Sequence, residues 1–180
     1  MAAPPAKTLK DLSGVWVMNK TLSDDTDRIL QMQGVGWWLR KAIALATVTL
    51  TIKQYVSADG LTHIDIEQRA TGGISGTTEK RTLDWAYRDH KDGIFGAVKG
   101  KSRWVKLADV EDDNEFLKKG WLEEGDEHVQ SYVESVGNGW TADQIWGFEE
   151  IGGVRYHVRH VVVRKGDDWK EARLVYDYQK

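Results

Sequence analysis

The chain has no cysteine, and its only two prolines, Pro4 and Pro5, fall in the first five residues. Without thiols there can be no disulfide framework, no thiolate nucleophile and no Cys-based zinc site. With no proline after residue 5, nothing bars long runs of paired strands. No apolar stretch approaches the roughly 20 residues of a membrane-spanning helix. The opening Met-Ala-Ala-Pro-Pro-Ala-Lys lacks the apolar segment of a secretory leader, which predicts a cytoplasmic protein. Positive charge is not in excess either. Lys and Arg number 25 against 28 Asp and Glu, a formal net charge of −3 that argues against a nucleic-acid partner. At 180 residues the chain is the size of one ordinary domain.

What is abundant points to β structure. Eighteen glycines recur between short apolar segments as turn punctuation, and nine tryptophans outnumber three phenylalanines. Residues 1–11 read as a loose tail, and Leu12 to Lys20 as a first strand. One helix is expected over 23–33, with Ser23 as N-cap, Asp24, Asp25 and Asp27 in its first turn, and Gly34 as the C′ residue. A second is expected over 37–45; its apolar residues go nearly all round, so it should be well buried or cap something apolar.

From Thr47 the period changes from 3.6 to 2. Val48, Leu50 and Ile52 alternate with polar residues, as do Ile64 and Ile66, with Ala58-Asp59-Gly60 as a hairpin turn between them. The polar face of the second run, His63, Asp65, Glu67 and Arg69, reads as a solvated exterior stripe. Further strands are expected at 76–87, 94–107, 117–123, 127–136, 140–149, 154–164 and 168–179, with the acidic run Asp109 to Glu115 as a solvated loop. Ten hairpin-linked antiparallel strands must hide their edges, and closing into a barrel does so.

Leu12-Ser-Gly-Val-Trp16, Gly34-Val-Gly-Trp-Trp-Leu-Arg-Lys-Ala42 and Thr47-Val-Thr-Leu-Thr-Ile52 together resemble the opening of the intracellular fatty-acid-binding proteins, members of the calycin superfamily. His128-Val-Gln130 and Tyr178 resemble that family's ending. The resemblance implies an all-β, ten-stranded antiparallel up-and-down barrel with a helix-turn-helix lid, holding a lipid-like ligand inside. Departures are visible too. Loops around 88–95 and 108–115 are longer than in the family. Its carboxylate clamp has Arg-x-Tyr near the C-terminus, where this chain has Tyr176-Asp177-Tyr178. The position of its second arginine falls near Trp146 or Phe148, so Arg159 is the cation that could take over.

Alternation and the resemblance together place His128, Gln130, Tyr132, Trp146, Phe148, Arg155, His157, Arg159, Tyr176 and Tyr178 on one inward face. A one-residue slip would present Tyr156, Val158 and His160 instead. His157 and His160, three apart on a strand, point to opposite faces and cannot share a metal, so no metal and no cofactor is expected. The expected ligand contacts are Trp85, Gln130, Tyr132, Trp146, Phe148, Arg159 and Tyr178, around a hydrophobic or amphipathic small molecule. The alternative is an enzyme that cyclises or isomerises a polyketide or terpenoid in the same cavity. His128 and His157 would then be its acid–base groups, with Tyr176 as a phenolic donor.

Overall fold

The computed structural model describes residues 1–180. Ten strands form one sheet: β1 (Gly14–Met18), β2 (Val48–Val56), β3 (Thr62–Ala70), β4 (Thr77–Thr82), β5 (Arg88–Asp92), β6 (Gly96–Val105), β7 (His128–Ser135), β8 (Trp140–Ile151), β9 (Val154–Lys165) and β10 (Asp168–Tyr178). The order is β4-β3-β2-β1-β10-β9-β8-β7-β6-β5, with every paired neighbour antiparallel. β1 meets β10 and closes the ring there. β4 and β5 do not pair; a single bridge from Leu83 to Ser102 spans the seam. Two helices, α1 (Asp27–Met32) and α2 (Trp37–Leu45), sit between β1 and β2 in sequence and cover one end of the barrel. Neither is long and apolar enough to cross a membrane.

The strand count is as expected, but two of its members differ. Residues 117–123 are not a strand: Glu115–Leu117 is a turn of 3-10 helix and the chain then runs irregularly. Their apolar residues serve another purpose. Leu117 packs with Val105, Val110, Ile145 and Val162, and Phe116 and Trp121 lie against this cluster on the barrel's outer face. The tenth strand is β5, Arg-Asp-His-Lys-Asp, in a stretch expected to be loop. It has no apolar alternation to read and exists through its backbone pairing with β6.

The first helix also starts later than expected. Ser23 caps nothing: its hydroxyl accepts from the Val175 N–H at 2.9 Å, and Asp24 exchanges hydrogen bonds with the Arg173 backbone. Residues 23–24 thus extend the edge of β10, and α1 begins at Asp27, whose carboxylate reaches Arg40 and Lys41 at 3.2 Å and ties the helices together. Gly34 is the C′ residue, with φ of 84°. The second helix is not well buried. Trp38 is 82 % and Leu45 86 % exposed, while Ile43 and Ala44 face the barrel's interior. Residues 1–11, expected as a loose tail, instead lie against the opposite end: Ala3 is buried and its N–H donates to the Arg155 carbonyl, and Leu12 after them is fully buried.

Candidate functional site

The barrel interior is filled at one end and open at the other. At the tail end, Leu12, Trp16, Leu50, Ile52, Ile64, Ile66, Val129 and Phe148 form a closed apolar core. Toward the helices the inward positions become small or polar, among them Thr77, Glu79, Gly100 and Ser102, and cannot fill the space. A cavity of about 1000 Å³ results. Its apolar wall includes Met18, Ile29, Val48, Val98, Trp140 and Val161, and it reaches the helices at Leu30 and Ile43.

Where the cavity meets the core, the wall carries charge. Arg81 donates from Nη1 to the Ser131 hydroxyl and, at 3.4 Å, to that of Ser102, and its Nη2 pairs with Glu79. Arg159, in the same wall, makes no hydrogen bond to the protein; its Nε and Nη2 are buried without partners. Its guanidinium carbon lies 3.8 Å from the Trp146 ring centroid and 5.1 Å from that of Tyr176. Arg81 stands 5.4 Å from the same Trp146 ring. That ring is fixed in turn by the indole N–H donating to Gln144 at 3.1 Å. Burial would raise the Glu79 carboxyl, but Arg81 and Arg159 outweigh it and hold the group below its ordinary range. Burial pushes the Tyr176 phenol up, so it keeps its proton and is a donor. Two guanidiniums therefore face one carboxylate, and Arg159 keeps its hydrogen-bond donors free.

The expected site residues divide into three groups. Arg159 and Tyr176 line the cavity, and Trp146 lies directly beneath the guanidiniums. Phe148, His157 and Tyr178 point inward but belong to the filled end. His157 is fully buried, donates from Nδ1 to the Gly147 carbonyl at 3.0 Å, and stacks on Tyr176 with ring centroids 5.6 Å apart. Burial lowers its pKa to about 3. Tyr178 packs on Trp16 at 4.9 Å.

His128, Gln130, Tyr132 and Trp85 lie outside the barrel, which corrects their expected inward placement. Val129 pairs with Trp146 and Ser131 with Gln144, so β7 turns its odd residues inward. This is the one-residue register shift that exchanges the faces of a strand. Gln130 instead donates to both oxygens of Asp143 and accepts from Arg103 at 2.8 Å, beneath residues 106–127. Tyr132 and Trp85 are surface rings flanked by Lys101, with Arg103 also over Trp85. On β9 the expected register holds: His157 and Arg159 face in, while His160 stacks on Phe116 outside.

Arg81 and Glu79 were missed by sequence reasoning, although a signal existed. Cross-strand partners share a face, and they stand opposite Ile64 and Ile66, whose inward alternation is plain.

No family model matches the chain. Two relatives match it almost end to end. One is a probable pericyclase of Mollisia scopiformis, 36 % identical over 99 % of this chain and 95 % of its own. The other is a pericyclase of Acremonium sp., 33 % identical over 99 % of this chain and 97 % of its own. Among solved structures, a Schistosoma mansoni fatty-acid-binding protein in complex with arachidonic acid superposes with a TM-score of 0.61 at 14 % identity, over 97 % of this chain and 100 % of that one. A fatty-acid-binding protein of Echinococcus granulosus gives 0.57 at 12 % identity, over 94 % and 98 %. Such low identities speak for the fold alone. On the full-length likeness to its two curated relatives, the chain belongs to their pericyclase family, built on the calycin barrel of the fatty-acid-binding proteins.

Proposed function

We propose that the chain takes a largely apolar, unsaturated small molecule into the cavity beneath its helices and catalyses a pericyclic ring closure of it there. In such a reaction bonds reorganise through one cyclic transition state, with no nucleophile and no proton transfer. What a protein must supply is a wall that folds a flexible chain into a reactive conformer, exclusion of water, and hydrogen-bond donors where charge accumulates. Holding reacting carbons in a near-attack arrangement lowers the barrier by several kcal/mol. The apolar wall suits the folding task. Arg159 and Tyr176 suit the donor task, toward an oxygen conjugated with one of the reacting double bonds.

The observation that carries this reading is the Arg159 guanidinium, free of hydrogen bonds, in the wall of a cavity that also offers an apolar surface, in a chain with pericyclase relatives along its whole length. Carriage without chemistry is the second reading, and its support is the likeness of the barrel to one that holds arachidonic acid. The mild negative charge supports a small molecule rather than nucleic acid as partner. The test is to incubate the protein with linear polyenes bearing an α,β-unsaturated carbonyl. Product would be followed against the uncatalysed background, with binding measured by tryptophan quenching. Accelerated closure with a changed isomer ratio supports catalysis. Tight binding with an unchanged rate supports carriage.

A further inference from the structure

We propose that the side-chain amide of Gln144 is a second donor site in this cavity, suited to a neutral carbonyl oxygen on the substrate's chain. The substrate would then carry two acceptors, one at the floor and one at Gln144. The inference rests on the reading that the substrate folds in the cavity, and adds where along its length the second oxygen lies.

The strand fixes the position. Inward residues alternate along β8, so Gln144 shares a face with Trp146 and lines the cavity one step nearer the helices, about 7 Å along the strand. Its neighbours across the sheet are Ser131 on β7 and Val161 on β9. Ser131 belongs to the polar floor through its bond from Arg81, whereas Val161 belongs to the apolar wall. Gln144 therefore stands on the border between the two.

Hydrogen bonding fixes the orientation. The Trp146 indole N–H is a donor only, so the amide oxygen rather than the nitrogen must face it, at 3.1 Å. Trp146 does not turn freely, because the Arg159 guanidinium lies over its ring. With the oxygen held there, the amide nitrogen points away from Trp146. No protein group accepts from it, and it is not sealed in the wall as Arg159 Nε and Nη2 are. Two N–H groups of set direction are thus left for whatever fills the cavity.

The chemistry of the acceptor follows. A neutral amide cannot compensate a buried anion, and Val133, Ala142 and Val161 beside it offer no charge. A carbonyl oxygen has two lone pairs and no proton to place, which suits an amide whose own oxygen is already bonded. When an alkene conjugated with that carbonyl closes a ring, the oxygen gains negative charge in the transition state. A donor already aligned on it stabilises that charge without reorganising.

The experiment uses one neutral probe on the intact protein. It is a linear polyene with a terminal methyl ester and an isotopically labelled internal ketone, the two joined through a conjugated diene. The label separates the two carbonyl bands in the infrared difference spectrum of the bound probe. Hydrogen bonding lowers a carbonyl stretching frequency, so both bands should shift down in the parent protein. Gln144→Met should return one of them to its free position, and Arg159→Gln the other. Gln144→Met should also weaken binding about three- to tenfold, as the loss of one hydrogen bond does. Gln144→Glu keeps an acceptor for the Trp146 N–H and loses the donors. It should release the same band even where the Met variant folds poorly.

Bands that ignore both Gln144 variants, or that follow Arg159→Gln alone, overturn the proposal. If the probe is still cyclised in that case, the function stands without this subsite. If the probe binds with a Gln144-dependent band and never closes, the subsite stands and the ring-closure reading falls. If the probe does not bind at all, both fall.

Discussion

The Arg159 guanidinium carbon lies 3.8 Å from the centroid of the Trp146 ring, and the guanidinium, which feels the Glu79 carboxylate only at a distance, makes no hydrogen bond to the protein. Buried charge without a hydrogen-bond partner is destabilising in the empty protein. Arg159→Met keeps an unbranched apolar stem and removes the charge. It should raise stability by about 1–3 kcal/mol, which is a rise of several degrees in Tm for a chain of this size. Ring closure should fall in the same variant. Thermal melts and turnover on one preparation check both. A variant that melts lower and still turns over contradicts this account of the site.

Acid stability follows from two buried groups that oppose each other. His157 has its pKa lowered to about 3 by burial, whereas an unfolded histidine titrates near 6.5. Its contribution is therefore present above about pH 6.5 and is lost as pH falls toward 3. Asp143 has its pKa raised to about 6, first by burial and then by Asp112. Its contribution is present below about pH 3.9 and is lost as pH rises through 6. Between about pH 4 and 6 the two slopes, each near 1.4 kcal/mol per pH unit, run in opposite directions. His128, also held down by burial, adds to the acid-side loss. Asp143→Asn should make stability fall more steeply from pH 6 to 4, and His157→Phe should make it shallower. Urea titrations across that range measure both slopes; equal slopes in all three proteins would falsify the assignment.

The outer cover over β7–β9 depends on a missing side chain. A Cβ at Gly147 would stand 2.5 Å from Trp121 Cε3 and 3.1 Å from His128 Cδ2. Gly147→Ala should displace the Trp121 ring and cost about 1–3 kcal/mol, as overpacking does. Because Trp121 belongs to the irregular segment rather than to a strand, faster limited proteolysis within residues 106–127 should accompany the loss. Unchanged proteolysis would show that the segment is held by something other than this contact.

The architecture was legible where packing repeats a period. Val48, Leu50 and Ile52, then Ile64 and Ile66, alternate because one side of each strand is buried, and the two helices stand out as the one interruption of that rhythm. Strand β5 was not legible, since a run of five polar residues has no periodicity and is held by its neighbour's backbone. The segment 117–123 misled for the opposite reason: its apolar residues are buried, but from outside the barrel. Arg159 and Tyr176 were found because the inward register of β9 and β10 could be inferred. His128 and Gln130 were misplaced because β7 begins one residue out of the phase that the resemblance implied. Both faces of β7 are partly buried, so burial alone could not reveal the slip.

The turn between the helices distinguishes two glycines that look equivalent in sequence. Gly34 has φ of 84°, a conformation that a side chain disfavours, whereas Gly36 sits at φ −63° and ψ 153°, open to any residue. Neither would meet a neighbour with an added Cβ. Gly34→Ala should cost about 1–2 kcal/mol from backbone strain alone, and Gly36→Ala should cost nothing or slightly stabilise. Chemical denaturation of the two single variants gives the difference directly. Equal effects would mean that the turn relaxes.

A pericyclic step needs no proton donor that titrates, and the positions of the histidines make this testable. His128 lies outside the barrel against Trp121, and His157 is sealed in the core beneath Tyr176, neutral down to about pH 3. Turnover should therefore be independent of pH between about 5 and 8 for a substrate that does not itself ionise there, in contrast to the bell-shaped profile of acid–base catalysis. His128→Ala should leave turnover unchanged while lowering stability. Tyr176→Phe removes one donor from the floor and nothing else, and should slow closure by about tenfold, the equivalent of one hydrogen bond of roughly 1.4 kcal/mol. Arg159→Gln should slow it further, since a charged donor is worth about twice a neutral one. A profile that falls off with an apparent pKa near 6, abolished by His128→Ala, would return catalysis to a histidine and require residues 106–127 to move away from the barrel wall.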